Sequence, residues 1–163
     1  MPEGLLAGFR VLDLGSHVAG PFCAKLLADY GADVIKVEPP AVGDVSRRAG
    51  PFVGDDPHPE KSIPFLYNNM NKRGVTLDFG SGTGRGILGS LLQEADVLVE
   101  NLSPAEAGAL RVDYSALSRV NPALVVTSIT PFGQTGPYRD LAATDIVTCA
   151  LSGLMYHSGD SDR

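Results

Sequence analysis

The first forty residues place a strand, a helix and a second strand in close succession, and this order constrains the fold more than any other feature. "FRVLDL" at 9–14 is a short apolar run, and "DVIKVEPP" at 33–40 is another, which prolines end. Between them, four apolar residues recur at helical spacing and predict one helix face: Phe22, Leu26, Leu27 and Tyr30. Gly31 ends this helix. Such a unit predicts a right-handed crossover between parallel strands.

The rest of the chain continues the alternation of strands and helices. Three further apolar runs predict strands, at residues 73–79, 96–101 and 123–129. Three further helical patterns predict helices at 82–95, at 114–120 and from Thr144, which suits an N-cap. The run at 96–101 has almost no polar alternation, which is typical of a sheet covered on both faces. The sequence therefore predicts one α/β unit, an open, mainly parallel sheet with helices on both faces.

Apolar residues at three- and four-residue steps predict the buried faces of two of these helices. In the helix at 82–95 they are Ile87, Leu88, Leu91 and Leu92. In the last helix they are Ile146, Val147, Ala150 and Leu154. Cys23 and Cys149 also fall in helix-like apolar patterns, which favours two buried thiols that act as small hydrophobes. The segment 39–62, rich in prolines, glycines and charges, predicts a long functional or mobile loop.

Composition limits the class of protein. The chain has 163 residues, of which 44% are apolar and 20% charged, which is ordinary for a globular domain with a sizeable core. A net charge of −6 disfavours binding to nucleic-acid phosphates but leaves room for an anionic ligand held by a few groups. No signal segment opens the chain, and no apolar run approaches the roughly 20 residues that a membrane span needs. We therefore expect a cytoplasmic protein with reduced thiols.

Ligands bind open parallel sheets at the edge where the strands end. Three predicted loops meet there: "DLGSHVAGP" at 13–21, "VENLSP" at 99–104 and "SITPFGQTGP" at 128–137. Gly15 and Gly20 flank the turn into the first helix, whose N-terminus favours an anionic group. His17 lies in the same loop and is a candidate ligand contact.

Two basic pairs, Arg47–Arg48 and Lys72–Arg73, are either ordinary surface charge or phosphate contacts through charge-assisted hydrogen bonds. Asparagines beside the second pair favour the phosphate interpretation a little. Asp145 stands in the first turn of the last helix. Its carboxylate is either part of a site or a structural charge at the helix N-terminus.

Other motifs point away from metals and dinucleotides. "GSGTG" at 80–84 superficially resembles a dinucleotide-binding motif, but no acidic ribose partner follows in register, so a glycine-rich turn is the better interpretation. His58 and His157 have no neighbouring cysteine or aspartate at a spacing typical of metal sites. No metal is therefore expected.

Six stretches together resemble the class III CoA-transferase family, also called the CaiB/BaiF family. They are "GFRVLDLGSHVAGPFCAKLLADYGADVIKVEPP", "GDVSRRAGP", "NNMNKRGVTLDF", "EADVLVENLSP", "LSRVNPALVVTSITPFGQTGPY" and "DIVTCALSGLM". They occur in the family's order and spacing and cover nearly the whole chain.

The resemblance implies a Rossmann-like domain that the C-terminal part of a longer chain completes, plus a smaller domain, with two chains interlocked. Residues 1–163 would then be the N-terminal part of the large domain, with the second domain and the C-terminal part absent. Members move CoA from an acyl-CoA to a carboxylic acid through an aspartyl-CoA thioester, and others racemise or isomerise acyl-CoA. A homodimer or a complementing C-terminal chain is the implied partner.

Carried over by motif, the implied contacts of coenzyme A are Val18, Ala19, Leu77, Asp78, Phe79, Asn101 and Leu102. His17 would lie in or beside the same pocket. Asp145 would be a supporting acidic residue close to the thioester. Four positions where some members have basic residues differ here: Pro39, Gly80, Ala109 and Ala142. Arg47, Arg48, Lys72 and Arg73 are the residues expected to compensate for them.

The identity of the reaction depends on two further positions. The racemase branch has a catalytic histidine where this chain has Thr144, which argues against racemase or isomerase chemistry. The nucleophilic aspartate of the transferases would fall beyond Arg163, and Asp160 and Asp162 come too early to match it. We therefore expect the chain alone to be inactive. The alternatives are a CoA-binding or assembly subunit without activity, and a subunit whose partner supplies the nucleophile.

Overall fold

A computed structural model describes residues 4–159. The chain separates into two compact units, Met1–Ile129 and Thr130–Arg163. The first unit contains the sheet and most of the helices, and the second contains one α-helix and a 3-10 turn among its described residues.

The first unit is built on five parallel strands, which confirms the predicted α/β class. They are β1 (Arg10–Asp13), β2 (Asp33–Glu38), β3 (Arg73–Thr76), β4 (Val97–Glu100) and β5 (Val125–Ser128). Their order in the sheet is β3-β2-β1-β4-β5. Leu12 of β1 stands in register with Ile35 of β2 and Leu98 of β4. The chain therefore starts at the centre of the sheet and builds outwards on both sides.

Six α-helices accompany the strands in the described residues. They are α1 (Ala19–Asp29), α2 (Ile63–Asn68), α3 (Gly82–Gln93), α4 (Pro104–Leu110), α5 (Tyr114–Val120) and, in the second unit, α6 (Asp145–Leu151). The two short helices α2 and α4 are absent from the sequence prediction. Ser103 signals the start of α4, because it forms a capping box with Glu106 and precedes a proline.

The two faces of the sheet bury separate apolar clusters, which confirms the predicted helices on both sides. Val11 packs with Ala24 and Ala28 of α1 on one face. Leu12, its neighbour in β1, packs on the other face with Leu88 of α3 and Leu117 of α5. Adjacent strand residues point to opposite faces, so both must be apolar. The unbroken apolar runs of the sequence follow from this arrangement.

The apolar face predicted for α1 is mostly turned away from the sheet, and of its four residues only Leu27 packs against the cluster of Val11. Phe22, Leu26 and Tyr30 are 38%, 42% and 56% exposed. The residues that α1 buries are smaller or partly polar: Gly20, Pro21, Ala24, Lys25 and Ala28. Small side chains let the helix axis approach the sheet closely, and the larger apolar residues are left on the outer side.

Other predicted burial also fails at particular residues. In α3, Leu88 and Leu92 are buried and Leu91 packs against them, but Ile87 is exposed. In the second unit, α6 forms as predicted, yet Ile146, Val147 and Leu154 are exposed. An apolar pattern at helical spacing predicts which residues share a helix face, but it does not predict which element, if any, packs against that face.

Cys23 and Cys149 are unpaired thiols that are only half-buried, so they are less buried than predicted. Cys23 packs at the border of the cluster formed by Val11, Ala24 and Ala28. It therefore lies at the margin of the apolar core that covers this face of the sheet.

Candidate functional site at the carboxyl edge

The order of the strands reverses between β1 and β4, and the loops that follow these strands meet at the carboxyl edge. Asn101 comes directly after β4. Its Oδ1 accepts a hydrogen bond from the backbone N–H of Ser16 at 2.7 Å, and its Nδ2 donates to the Ser16 carbonyl at 2.9 Å. Ligands of open α/β sheets bind at such a reversal point. Asn101 therefore fixes the loop after β1 beside a natural ligand crevice.

Two glycines let this loop pass close to α1. A Cβ on Gly15 would lie 2.7 Å from the Cα of Gly20, and a Cβ on Gly20 would lie 3.3 Å from Oδ1 of Asn101. Val18 occupies the N-cap position of α1 and provides no side-chain cap for the first backbone N–H groups. Those groups and the helix dipole favour an anionic group at this end of α1.

Asp13, the last residue of β1, is fully buried as a carboxylate and has two lysines beside it. Lys72 Nζ donates to its Oδ2 at 2.8 Å, and Lys36 Nζ lies 3.8 Å from the same oxygen. The other oxygen, Oδ1, accepts the backbone N–H of Gly15 at 2.8 Å. A buried charge is tolerated when it is paired and hydrogen-bonded, and Asp13 satisfies both conditions.

Asp44 and Glu38 extend these charges into the loop after β2. Lys36 Nζ donates to Asp44 Oδ2 at 2.8 Å, and the Asp44 backbone N–H donates to Glu38 Oε2 at 2.7 Å. The Arg47 guanidinium donates to both oxygens of Glu38, at 2.7 and 2.8 Å. We call the connected side chains the charge cluster: Asp13, Lys36, Glu38, Asp44, Arg47 and Lys72.

The environment shifts the pKa of several groups in the cluster. Burial raises the pKa of Glu38, but hydrogen bonds from Arg47 and from the Asp44 backbone outweigh it, and the pKa lies below its usual value. Burial also raises the pKa of Asp44, but the charge of Lys36 and the hydrogen bonds from Lys36 and Ser46 outweigh it. The pKa of Asp44 therefore also lies below its usual value. Burial lowers the pKa of Lys72, against the attraction of Asp13. Both carboxylates therefore remain ionised at neutral pH.

The predicted contacts of the first loop lie at the surface of this edge. His17, Val18 and Ala19 are exposed. His17 has a φ of +68°, in the left-handed region, and its backbone N–H donates to Asp44 Oδ1 at 3.0 Å. The structure thus brings these three residues together beside Asn101, with their side chains open to solvent.

The residues predicted to contact CoA after β3 and β4 differ in how far they are exposed to solvent. Leu77 is buried in the apolar core, and its N–H donates to the Glu38 carbonyl at 2.9 Å. Asp78 is exposed and Phe79 is half-buried. Leu102 is half-buried, and its N–H donates to Glu100 Oε2 at 2.6 Å. The buried Leu77 side chain is thus committed to the core, whereas Asp78 remains open to solvent.

The glycines at 80–84 belong to the start of α3. The Ser81 Oγ accepts the N–H of Gly84 at 3.0 Å and caps the helix. A Cβ on Gly84 would lie 1.8 Å from the carbonyl oxygen of Asp78. Glycine at this position is required by close backbone packing, in agreement with a glycine-rich turn.

A family model described as CoA-transferase family III matches residues 6–163. The chain belongs to this family. It is 44% identical over 156 residues to a Thauera aromatica protein described as succinyl-CoA:(R)-benzylsuccinate CoA-transferase subunit BbsE, covering 95% of this chain and 38% of the relative. It is 39% identical to the human succinyl-CoA:glutarate CoA-transferase, covering 94% of this chain and 34% of that protein.

Solved structures of the family have the same fold. A CaiB/BaiF family protein from Brucella suis is 38% identical and superposes with a TM-score of 0.89, covering 99% of this chain and 42% of that one. A Mycobacterium tuberculosis protein, Rv3272, is 32% identical with a TM-score of 0.85, covering 99% and 44%. This family III chain thus spans roughly two fifths of the length of these relatives.

The basic residues predicted to bind phosphate in this family III chain mostly pair with carboxylates. Arg47 binds Glu38, Lys72 binds Asp13, and Arg73 binds Asp33 with its Nε at 2.8 Å. Arg48 is exposed and donates to the Val42 carbonyl at 2.7 Å. Phosphate contact by these four residues stays a prediction, and Arg48 is the one of them for which no carboxylate partner is found in residues 4–159.

Sequence reasoning missed Asp13, Lys36, Glu38 and Asp44. A signal for the first three is present, because they are charged residues next to apolar residues in runs that predict buried strands. Charged side chains are almost never fully buried unless they are paired. The sequence therefore indicates that partners exist, although it does not identify them.

Asp145 is the first residue of α6 and is exposed. Thr144 occupies the predicted N-cap position, but its side chain makes no capping hydrogen bond. The role of Asp145 as a supporting acid stays a prediction. Asp160 and Asp162 lie outside the described residues.

Residues 4–159 contain neither a metal-binding cluster nor a helix able to cross a membrane. No group of three or more histidine, cysteine, aspartate or glutamate side chains there is arranged to hold a metal ion. None of the helices in the same part of the chain combines the length and apolar character needed to cross a bilayer.

Proposed function

We propose that this chain provides the coenzyme A-binding edge of an enzyme that moves CoA from an acyl-CoA to a carboxylic acid. The observation that carries the proposal is the exposed loop His17–Ala19, held by Asn101 at the reversal point of a family III sheet. Relatives described as succinyl-CoA-dependent CoA-transferases support the reaction class.

The proposed reaction is a double displacement at an aspartate that lies outside residues 1–163. Its carboxylate attacks the acyl-CoA carbonyl, which gives an aspartyl mixed anhydride and a CoA thiolate. The thiolate then attacks the aspartyl carbonyl and releases the first acid, leaving an aspartyl-CoA thioester. The second acid attacks this thioester, and the released thiolate takes the new acyl group from the mixed anhydride. Backbone N–H groups of glycine loops would stabilise the oxyanions.

Within this scheme the described residues bind and orient CoA. His17, Val18 and Ala19 would contact it on one side of the crevice and Asn101 and Leu102 on the other. Asp78 and Phe79 would line its path after β3, with Leu77 contributing backbone atoms. Arg48 is the proposed phosphate contact, since its guanidinium has no carboxylate partner within residues 4–159 and suits a pyrophosphate.

Binding of CoA to the chain tests this proposal, with two valines compared. Val18 is 47% exposed at the loop, and Val125 is 59% exposed at the opposite end of the sheet, where β5 begins. Val18→Asp places a carboxylate against a polyanionic ligand and is expected to weaken binding at least tenfold. Val125→Asp adds the same charge and is expected to leave the Kd within about twofold. Isothermal titration calorimetry measures both. Absence of CoA binding by the wild-type chain, or equal effects of the two variants, would reject the proposal.

Asp145 is proposed to lie close to the thioester and to support the transfer step. This role derives from its motif position, and its exposed carboxylate is available for it. In the complete enzyme, Asp145→Ala is expected to lower kcat at least tenfold with a small change in the KM for acyl-CoA. Unchanged turnover would remove Asp145 from the site.

A second candidate is a CoA-binding subunit without turnover of its own, in the reducing cytoplasm. It is favoured because the first unit contains a five-stranded sheet with apolar cores on both faces. Here a separate polypeptide that contains the aspartate would supply the nucleophile. Trapping of an aspartyl-CoA adduct by mass spectrometry on the 163-residue chain would contradict both candidates.

A further inference from the structure

The contacts of Asp44 indicate that it does more than neutralise the buried charge of Lys36. We propose that Asp44, paired with Lys36, is a positioning residue that fixes the backbone of residues 15–17 in the conformation that binds CoA. This inference rests on the proposed function, because it assigns a purpose to the loop that the proposed CoA site uses.

Asp44 contacts the loop directly. Its Oδ1 accepts the backbone N–H of His17 at 3.0 Å, together with the backbone N–H and the hydroxyl of Ser46 at 2.8 and 2.7 Å. Its Oδ2 accepts Lys36 Nζ at 2.8 Å. The Asp44 side chain is 1% exposed. Both oxygens are thus held by the protein, and the carboxylate has little freedom to move away from His17.

Lys36 holds the same loop at a second point. Its Nζ also donates to the carbonyl of Gly15, two residues before His17. The paired side chains of Lys36 and Asp44 therefore hold the loop at two points, the carbonyl of Gly15 and the backbone N–H of His17. Asn101 holds Ser16 between these two points. Each residue of 15–17 is fixed through its backbone, and the His17 side chain remains open to solvent.

The backbone of His17 requires such support. Its φ of +68° is uncommon for a residue that is not glycine, and such conformations persist where the surroundings hold them. Without Asp44 the loop is expected to populate other conformations. The apparent Kd rises in proportion to the inverse of the population that can bind. If about one tenth of the molecules retained the binding conformation, CoA would bind about tenfold more weakly.

The test compares Asp44→Asn with Glu60→Gln in the full chain. Glu60 is 70% exposed, and its hydrogen bonds in the described residues join Arg47, at 2.7 Å, and His58, not residues 15–17. Each variant removes one negative charge, which by long-range electrostatics should strengthen binding of a polyanion slightly. Weaker CoA binding by Asp44→Asn therefore cannot come from the change in net charge, which would strengthen binding. The expected result is a Kd about tenfold higher for Asp44→Asn and unchanged or lower for Glu60→Gln.

Amide hydrogen exchange gives a readout that does not depend on CoA. By NMR, Asp44→Asn should accelerate exchange at His17 at least tenfold, while amides in β1 and β4 retain wild-type protection. Faster exchange at His17 with an unchanged Kd for CoA would overturn the inference and leave the proposed function standing. Wild-type exchange at His17 would also overturn it. If the wild-type chain bound no CoA, the proposed function would fail, and the exchange data would still report on the loop.

A milder variant covers the case in which Asp44→Asn does not fold. Ser46→Ala removes the hydroxyl that donates to Asp44 Oδ1 and leaves every charge in place. It should raise the Kd about two- to threefold and accelerate exchange at His17 by a similar factor. A folded Ser46→Ala protein with wild-type values for both quantities would contradict the role of Asp44.

Discussion

Single charged residues decide how the carboxyl edge is built. Asp13 and Glu38 end β1 and β2, Lys36 lies within β2, and all three side chains are removed from water. Each is stabilised by a partner from a different part of the chain. Removing one partner would leave the other as an unpaired buried charge, which is far more costly than losing an exposed pair.

The lowered pKa values of Glu38 and Asp44 predict how stability depends on pH. A carboxyl whose pKa is lower in the folded state than in the unfolded chain stabilises the fold above the unfolded pKa, which is about 4. This contribution is lost as pH falls through the folded pKa. The free energy of unfolding should therefore be nearly constant between pH 6 and 8 and decrease steadily below about pH 5. Urea unfolding at several pH values measures it.

Substitution of two glutamates distinguishes the contribution of Glu38 to this pH dependence from the contribution of exposed carboxylates. Glu38→Gln removes a buried titrating partner of Arg47 and should make the pH dependence below about pH 5 shallower. Glu94→Gln removes an exposed carboxylate that pairs with Arg10 at the surface, and such pairs contribute little. Equal slopes for Glu38→Gln and the wild type would show that Glu38 does not contribute to the acid transition.

At the scale of elements, all five strands and four of the six described helices were predictable, and α2 and α4 were not. All five strands lie within predicted apolar runs. The strands β1, β2 and β4 bury most of their residues, as a sheet covered on both faces requires, whereas all four residues of the edge strand β3 are exposed. The missed helices α2 and α4 have six and seven residues, although α5, which also has seven, was predicted. The capping box of α4 is a local signal that would have located it.

The orientation of α1 shows what periodicity does not contain. The pattern Phe22, Leu26 and Tyr30 predicts an apolar face, and the structure confirms that these residues share one side of a helix. The face that packs on the sheet is instead made of small residues such as Ala24 and Ala28. A helix that packs closely against a sheet needs side chains that are small as well as apolar, and the sequence pattern shows which residues are apolar more clearly than which ones are small enough.

The candidate site was predictable to the extent that it follows from topology. The glycine loop after β1 and Asn101 after β4 lie at the same sheet edge in any parallel arrangement of these strands. The contact between His17 and Asp44 joins residues 27 positions apart across an irregular segment. No local pattern specifies where that segment folds back. Its role as a framework for the loop could therefore be seen only in three dimensions.

At the scale of the whole molecule, α1 and α2 present an apolar surface to solvent. We call this the α1–α2 surface, formed by Phe22, Leu26, Ile63, Leu66 and Tyr67. Phe22 and Tyr67 stack on it with ring centroids 6.4 Å apart. Each of these five residues is between 38% and 53% exposed. Contiguous apolar patches on one side of a protein commonly mark contacts with other chains.

This surface predicts that the chain associates with a second copy or a complementing chain. For the purified chain, sedimentation velocity should show an average mass that rises with concentration above the 17.1 kDa of the monomer. Leu26→Glu puts a charge on the α1–α2 surface and should shift the distribution toward the monomer. Leu5 is 87% exposed and lies outside this surface, so Leu5→Glu adds the same charge without disturbing the contact. A monomer at every concentration for the wild type, or equal effects of the two variants, would mean that the α1–α2 surface does not mediate association. In that case the apolar side chains of α1 serve only its packing against α2.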